Sequence, residues 1–370
     1  PIKSSAASDV YKRQTEAYWL TGYLNIPKCL QLALYDGYDV MFKKQIGPHT
    51  GKAEDFKSYD ELWNAFKTQL EYIIDVKMRG NLVIERIYSQ MMPAPFLSIC
   101  TDDCIKKGKD YNAGGPRYNT SYIQGVGIGT ISDALSAIKF NVFDNQKFTM
   151  KELIDAMNDD FKGHEDILNL VKNKTPKYGN DDDYADDIMV SVFNEYKDYI
   201  TGRPTTRGGV YHVDMLPTTC HVYFGDVMIA TPNGRLAHNP LSEGISPEKG
   251  ADINGPTAVV KSCSKMNHCE TGGTLLNQKF TPAAIAGEKG IDNLAALIRS
   301  YFAMNGHHMQ FNVIDRQTLI EAQKNPEEYK ELIVRVAGYS DYFRNLDKPL
   351  QNEICLLYTS DAADDLIGVD

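Results

Sequence analysis

Several groups of side chains in the 370-residue sequence have types and spacings that could do chemistry. Cys263, His268 and Cys269 lie close enough together to share a metal. Structural zinc takes two separated ligand pairs, however, and no second pair stands nearby. Cys100 and Cys104 lack the third cysteine that an iron–sulfur site wants. His307 and His308 open an expected strand, where neighbours point to opposite faces, so at most one could serve a given site. These residues read as packed or exposed side chains, and no metal site is expected. Gly125-Val-Gly127-Ile-Gly129, followed by a helix and Asp144, superficially resembles a dinucleotide fingerprint. Its spacing is not GxGxxG and Tyr118–Gln124 does not read as a buried strand, so these glycines are expected to serve close packing or tight turns. No GxSxG, phosphate-binding loop or HExxH is present. What is left is Gly338, in Arg335-Val-Ala-Gly338-Tyr339, directly after an apolar run and before Ser340-Asp-Tyr-Phe343. Taken alone, a glycine there is a turn residue.

The elements that must position these residues follow from periodicity. Leu24–Tyr35 has helical spacing and is closed by Gly37. From Phe56 to about Met91 apolar residues recur at three and four (Tyr59, Leu62, Trp63, Phe66, Leu70, Ile73, Ile74), which predicts a long amphipathic helix with a break near Gly80. Residues 100–130, rich in Gly, Asn and Tyr, read as loop. A helix is expected over Ile131–Phe143, and Thr149 with Glu152 makes a capping box for the next one. Residues 173–184 read as an exposed loop. In the last third, strands at Gly273–Lys279, Met309–Ile314 and Leu332–Val336 alternate with helices at Ile291–Met304 and Arg316–Gln323. Such alternation means crossover units and parallel pairing, so the class is α/β with much helix.

Composition narrows the function. With 42% hydrophobic and 24% charged residues the chain is ordinary globular protein, which excludes disorder and fibrous classes. A net charge of -10 argues against nucleic-acid and membrane-surface partners. No run approaches the roughly 18 apolar residues of a membrane span. Seven scattered cysteines, an odd number, do not make a disulfide framework, so the expectation is a soluble cytoplasmic protein with free thiols.

The Gly338 segment resembles the radical-bearing loop of the glycyl radical enzymes, the pyruvate formate-lyase superfamily, whose signature is Arg-Val-x-Gly-Tyr. Thr231-Pro-Asn-Gly-Arg235, Pro240-Leu-Ser-Glu-Gly244, Gly255-Pro-Thr257 and Gly273-Thr-Leu-Leu-Asn-Gln-Lys-Phe280 match the same family in the same order. The resemblance covers Thr15–Ile354. It implies the C-terminal half of a ten-stranded α/β barrel built from two five-stranded halves, over 15–330, with surrounding helices and a truncated glycine radical domain over 331–354. Its glycine loop and a cysteine loop would meet at the centre, shielded from water and oxygen. Gly338 is then the radical residue: an unpaired electron on Cα is shared with both flanking peptide groups, which needs a near-planar centre that a β-carbon would crowd. The resemblance implies no bound cofactor. The radical is installed by a partner, an S-adenosylmethionine and iron–sulfur activating enzyme, and the full-length protein is a homodimer acting on a small molecule. Glu16-Ala-Tyr-Trp-Leu-Thr-Gly-Tyr23-Leu-Asn-Ile-Pro-Lys28, Cys104-Ile-Lys-Lys-Gly-Lys-Asp-Tyr-Asn-Ala-Gly-Gly115 and Tyr118-Asn-Thr-Ser-Tyr-Ile-Gln-Gly125 are most similar to the branch that dehydrates trans-4-hydroxy-L-proline to 1-pyrroline-5-carboxylate. On that resemblance Tyr23 lines the substrate pocket and Thr218, in Leu216-Pro-Thr-Thr-Cys-His-Val222, presents its hydroxyl to it. Other lyases of the family (choline lyase, glycerol or diol dehydratase, arylacetate decarboxylase, formate C-acetyltransferase) and a short spare-part protein carrying a glycyl radical loop are the alternatives.

The family's Gly-Cys-x-Glu motif, source of the thiyl radical and of a glutamate acid/base, is expected before Thr15 and is absent from this sequence. None of the seven cysteines takes that role; Cys29, the nearest, is expected to be packed on a helix. Residues 1–14 (PIKSSAASDVYKRQ) and 355–370 (CLLYTSDAADDLIGVD) share no period with their neighbours and resemble translated sequencing-adapter read-through. Both are expected to lie outside the fold, leaving 15–354 as an internal fragment of a longer protein.

Overall fold

A computed structural model describes residues 15–356. Its first element is a strand that the sequence reading did not foresee, β1 (Glu16–Asn25), leading directly into helix α1 (Ile26–Leu34). Asn25 caps that helix by accepting the Lys28 amide at 3.1 Å, and the chain leaves it through Gly37, as expected. A small hairpin, β2 (Tyr38–Asp39) and β3 (Lys44–Gln45), precedes the longest helix, α2 (Tyr59–Met91). Ser58 caps α2, which runs without a break past Gly80; that glycine has no neighbour within 4 Å of where a Cβ would stand and costs the helix only its intrinsic propensity. Two short helices, α3 (Pro95–Ile99) and α4 (Cys104–Lys107), follow.

The stretch read as loop contains a central strand instead, β4 (Tyr118–Val126), buried from Asn119 onward. It escaped notice because it carries Asn, Thr, Ser and Gln where a buried strand usually carries Val or Ile. Those polar groups are satisfied inside: Ser121 donates to Glu85 of α2 at 2.6 Å, and the Arg207 guanidinium bonds Ser121 at 2.9 Å and the Thr120 carbonyl at 3.2 Å. One of the two reasons for setting aside the glycine fingerprint is therefore corrected, since a buried strand does precede it. The other stands. Gly125 is pressed against the Met215 sulfur, Gly127 turns at a φ of +84° and Gly129 abuts the 246–248 backbone. They serve packing and turning.

Helices α5 (Ile128–Ile138), α6 (Met150–Asn158), α7 (Glu165–Asn173) and α8 (Asp183–Ile200) come next, with the expected reciprocal capping box of Thr149 and Glu152 in place. The remaining elements are β5 (Tyr211–Met215), α9 (Cys220–Asp226), α10 (Gly255–Ser264), β6 (Thr271–Thr274), β7 (Leu276–Phe280), α11 (Gly287–Ala303), β8 (Met309–Val313), α12 (Arg316–Lys324), β9 (Ile333–Arg335), β10 (Ser340–Tyr342) and α13 (Lys348–Leu356). Strands β1, β4, β5 and β6 form one parallel sheet in that order, and β7 pairs in parallel with β8. Since β6 and β7 are one extended line interrupted at Leu275, the described residues hold five parallel strand lines in chain order.

The third strand expected to join this parallel set does not. β9 pairs antiparallel with β10 in a hairpin turning through Ala337 and Gly338. The φ of +77° at Gly338 reverses the chain too tightly for a crossover, and the Val336 amide donates to the Tyr339 carbonyl at 2.8 Å across the turn. The main core lies between the parallel sheet and helices α1, α2, α5 and α8, with Ile123, Leu135, Phe66, Val192 and Tyr196 completely buried. A second core packs Val334, Val336, Ala337 and Phe343 of the hairpin region on Leu319 of α12 and Leu350 of α13. Cys355, placed by sequence in the trailing string, is buried in that second core at the end of α13. Apart from Cys355 and Leu356, both terminal strings lie outside the described residues.

Candidate active site

Two turns bring the candidate residues together. The first follows β5. Leu216 donates its amide to the Gln124 carboxamide at the end of β4 (2.9 Å), and Pro217 leads into Thr218, whose φ of +52° is left-handed. That conformation is unfavourable for a β-branched residue and is the kind of local strain that sites hold in place. The Thr218 hydroxyl donates to the Pro217 carbonyl at 2.7 Å and faces the Tyr23 hydroxyl at 3.5 Å. Tyr23 owes its direction to a slip in the β1–β4 register between Leu20 and Tyr23, where Gly22 adopts a φ of +98°. A bulge of this kind re-aims the side chain that follows it. Tyr23 then packs with Cys220 and Phe224 over Val126, Met228 and Leu241. The two residues expected to share a pocket wall, 195 positions apart in the chain, stand with their hydroxyls 3.5 Å apart.

Cys220 sits on the same wall. Burial pushes its thiol above the usual range, against a smaller opposing effect of hydrogen bonds with Thr218 and Tyr23. The sulfur stays protonated at neutral pH, which suits a packing role and not that of a thiolate nucleophile. Cys29 is packed on α1 as expected, its thiol pushed up to about 12 by burial alone. Among the described residues no group of three or more His, Cys, Asp or Glu could hold a metal ion.

The second turn is the β9–β10 hairpin. Its β9 strand is not held to the barrel by a main-chain ladder but by carboxamides on one face of the β7–β8 pair. Asn312 clamps Arg335 at both backbone atoms, donating to its carbonyl at 2.7 Å and accepting its amide at 2.8 Å. Gln310 donates to the Val336 carbonyl at 3.0 Å and accepts the Gly338 amide at 3.1 Å. Asn277, opposite Gln310 in register, reaches the Val336 carbonyl at 3.5 Å and bonds the buried Glu243. Sequence reading missed these three amides, although Gln310 and Asn312 give alternate polar positions among Met309, Phe311 and Val313 of β8. Such alternation in a buried strand is the signal that could have found them.

Gly338 itself was expected to be shielded. In this chain it is exposed, because the hairpin docks along its strands and leaves the tip uncovered. A Cβ built on it would find Leu216 Cδ2 at 3.9 Å as its nearest neighbour. Leu216 thus stands beside Gly338 while Thr218, two residues on, faces Tyr23. One short turn after β5 links the glycine tip to the Tyr23 wall.

Residues 10–225 match the family model described as pyruvate formate lyase-like, and residues 241–344 match the one described as glycine radical. Over 339 residues the chain is 65% identical to trans-4-hydroxy-L-proline dehydratase of Clostridioides difficile, covering 92% of this chain and 43% of that protein. The crystal structure of hydroxyproline dehydratase from the same organism, with trans-4-hydroxy-L-proline bound, superposes with a TM-score of 0.92 at 64% identity, covering 94% of this chain and 44% of that one. The glycerol-bound B12-independent glycerol dehydratase of Clostridium butyricum gives a TM-score of 0.89 at 43% identity, over 93% of this chain and 44% of that one. The chain therefore spans less than half the length of the relatives it matches.

Proposed function

From the premise that this chain belongs to the pyruvate formate lyase-like family and carries its glycine radical domain, we propose that the full-length protein is a glycyl radical lyase that dehydrates trans-4-hydroxy-L-proline. The observation that carries this reading is the gap in similarity: 64% identity to the hydroxyproline-bound structure against 43% to the glycerol-bound one, over nearly the same share of the chain.

In this reading Gly338 is the radical residue. An activating enzyme that uses S-adenosylmethionine and an iron–sulfur cluster removes one hydrogen atom from its Cα. The electron left behind is shared by the peptide groups on either side. The glycyl radical then draws a hydrogen atom from the cysteine of a Gly-Cys-x-Glu motif, which these 370 residues lack and which the remainder of the full-length protein must supply. The resulting thiyl takes a hydrogen atom from the ring carbon next to the substrate nitrogen. The substrate radical expels the neighbouring hydroxyl as water with a proton from the glutamate of that motif, the ring nitrogen releases a proton that restores the acid, and the thiol returns its hydrogen atom to leave 1-pyrroline-5-carboxylate. Each transfer requires atoms held roughly 3–3.5 Å apart. Tyr23 contributes a ring face and a hydroxyl to the pocket, and Thr218 steadies that hydroxyl from 3.5 Å. Seven free cysteines support placing the complete enzyme in the reducing cytoplasm, where it works as a homodimer.

The test offers hydroxyproline, choline, glycerol and 4-hydroxyphenylacetate side by side to the anaerobically activated full-length protein. Water loss from hydroxyproline is expected. Turnover of another substrate with none of hydroxyproline would overturn the substrate assignment and leave the radical class standing.

A further inference from the structure

We infer that Gln310 is the positioning residue of the radical glycine, an inference that rests on Gly338 being the radical site. A single carboxamide holds three points of the turn. Its Oε1 accepts both the Gly338 amide at 3.1 Å and the Arg335 Nε–H at 3.2 Å, while its Nε2 donates to the Val336 carbonyl at 3.0 Å. Gln310 is only 6% exposed, although the glycine it holds is exposed. Asn312, two residues along the same face of β8, bonds only the backbone of Arg335 and so docks the hairpin without touching its turn. Docking and aiming are divided between the two side chains.

The chemistry gives Gln310 a role beyond holding a loop. An unpaired electron on a glycyl Cα is stabilised by donation from the amide nitrogen on one side and withdrawal by the carbonyl on the other. Both require the peptide planes to stay aligned with the Cα orbital. An acceptor on the Gly338 N–H raises the donor power of its nitrogen and restrains rotation about N–Cα. The second bond, to the Val336 carbonyl, keeps the carboxamide from turning its oxygen away. Loss of this acceptor should therefore harm the radical more than the fold.

The experiment uses the full-length protein, activated anaerobically and read by electron paramagnetic resonance, with Gly338→Ala as the silent reference. Gln310→Met keeps the side-chain volume and removes the acceptor. It should alter the hyperfine splitting from the remaining Cα hydrogen and shorten the lifetime of the radical by about tenfold, the effect of one buried hydrogen bond. Gln310→Glu keeps an acceptor for the Gly338 amide from either oxygen but loses the donor to the Val336 carbonyl, so it should loosen the hairpin while retaining the hyperfine pattern, a split that a purely structural role would not predict. Hydrogen exchange on the unsubstituted protein gives a reading independent of how the variants fold. The Gly338 amide should be protected, and exchange at the rate of an open surface amide would overturn the inference. So would a Gln310→Met radical identical in splitting and lifetime to the parent. A signal that survives Gly338→Ala, or none at all in the activated parent, overturns the radical assignment itself and the inference with it.

Discussion

Gly338 and Thr218 both hold left-handed backbone, at φ +77° and +52°, but at different cost. For the glycine the conformation is free; for an L side chain it costs roughly 1–2 kcal/mol. Space is not what forbids alanine at 338, because a Cβ there would touch Leu216 at an ordinary 3.9 Å. Gly338→Ala in the full-length protein should fold, melt a few degrees lower, and show no glycyl radical after activation. Thr218→Gly should move stability the other way, gaining about 1 kcal/mol in urea titration as the strain is released. The same change removes the hydroxyl facing Tyr23, so hydroxyproline turnover should fall while the protein becomes more stable. A loss of stability would mean that the Thr218 conformation is not strained. Tyr23→Phe should lower kcat/KM by about three- to tenfold, the contribution of one hydroxyl hydrogen bond.

At the scale of elements, the hairpin's dependence on side-chain amides is open to test. Asn312→Leu leaves the Arg335 amide and carbonyl without their partners, at a cost of about 1–3 kcal/mol to the docked hairpin. Hydrogen exchange should show faster exchange confined to about 333–342, with α5 and α8 unchanged; uniform loosening of the whole chain would count against local docking. How far such elements could be read from sequence follows from what their residues satisfy. The long α2, the Thr149 capping box and the strand–helix alternation after 273 announce themselves through local periodicity and caps. Strand β4 does not, because its Ser121, Thr120 and Gln124 look like loop until Glu85, Arg207 and Leu216 are brought to them from afar. The Leu332–Val336 run reads correctly as a strand but not as a parallel one, since its partner lies across a turn of only a few residues. The candidate site divides in the same way. Gly338, Tyr23 and Thr218 stand in motifs that resemble a known family, whereas Asn277, Gln310 and Asn312 acquire meaning only from the β7–β8 register.

At the scale of the whole molecule, the five parallel strand lines are packed on one another and on their helices, but the surface next to the first of them is not polar. Among the described residues β1 is the edge of its sheet, with Leu20 48% exposed. The far half of α2 beside it turns Ile84, Ile87, Tyr88 and Met91 outward at helical spacing, each more than two-fifths exposed, and Phe96 and Ile99 of α3 continue the strip. The buried face of this half of α2 is polar, with Asn81 bonded to Thr21 and Glu85 to Ser121 and Tyr211, so the usual amphipathic order is inverted along these turns. An open strand edge flanked by an apolar strip is an association surface. The 370-residue chain should therefore self-associate as its concentration rises, visible by sedimentation velocity. Ile84→Lys combined with Ile87→Lys should disperse these assemblies, because charge on the strip cannot be buried between copies. Melting of the dispersed variant should stay within about 0.5 kcal/mol of the parent, as expected for side chains that already face water. Assemblies that persist in the double variant would show that copies meet through another surface, whereas a large loss of stability would show that the inverted face of α2 belongs to the core.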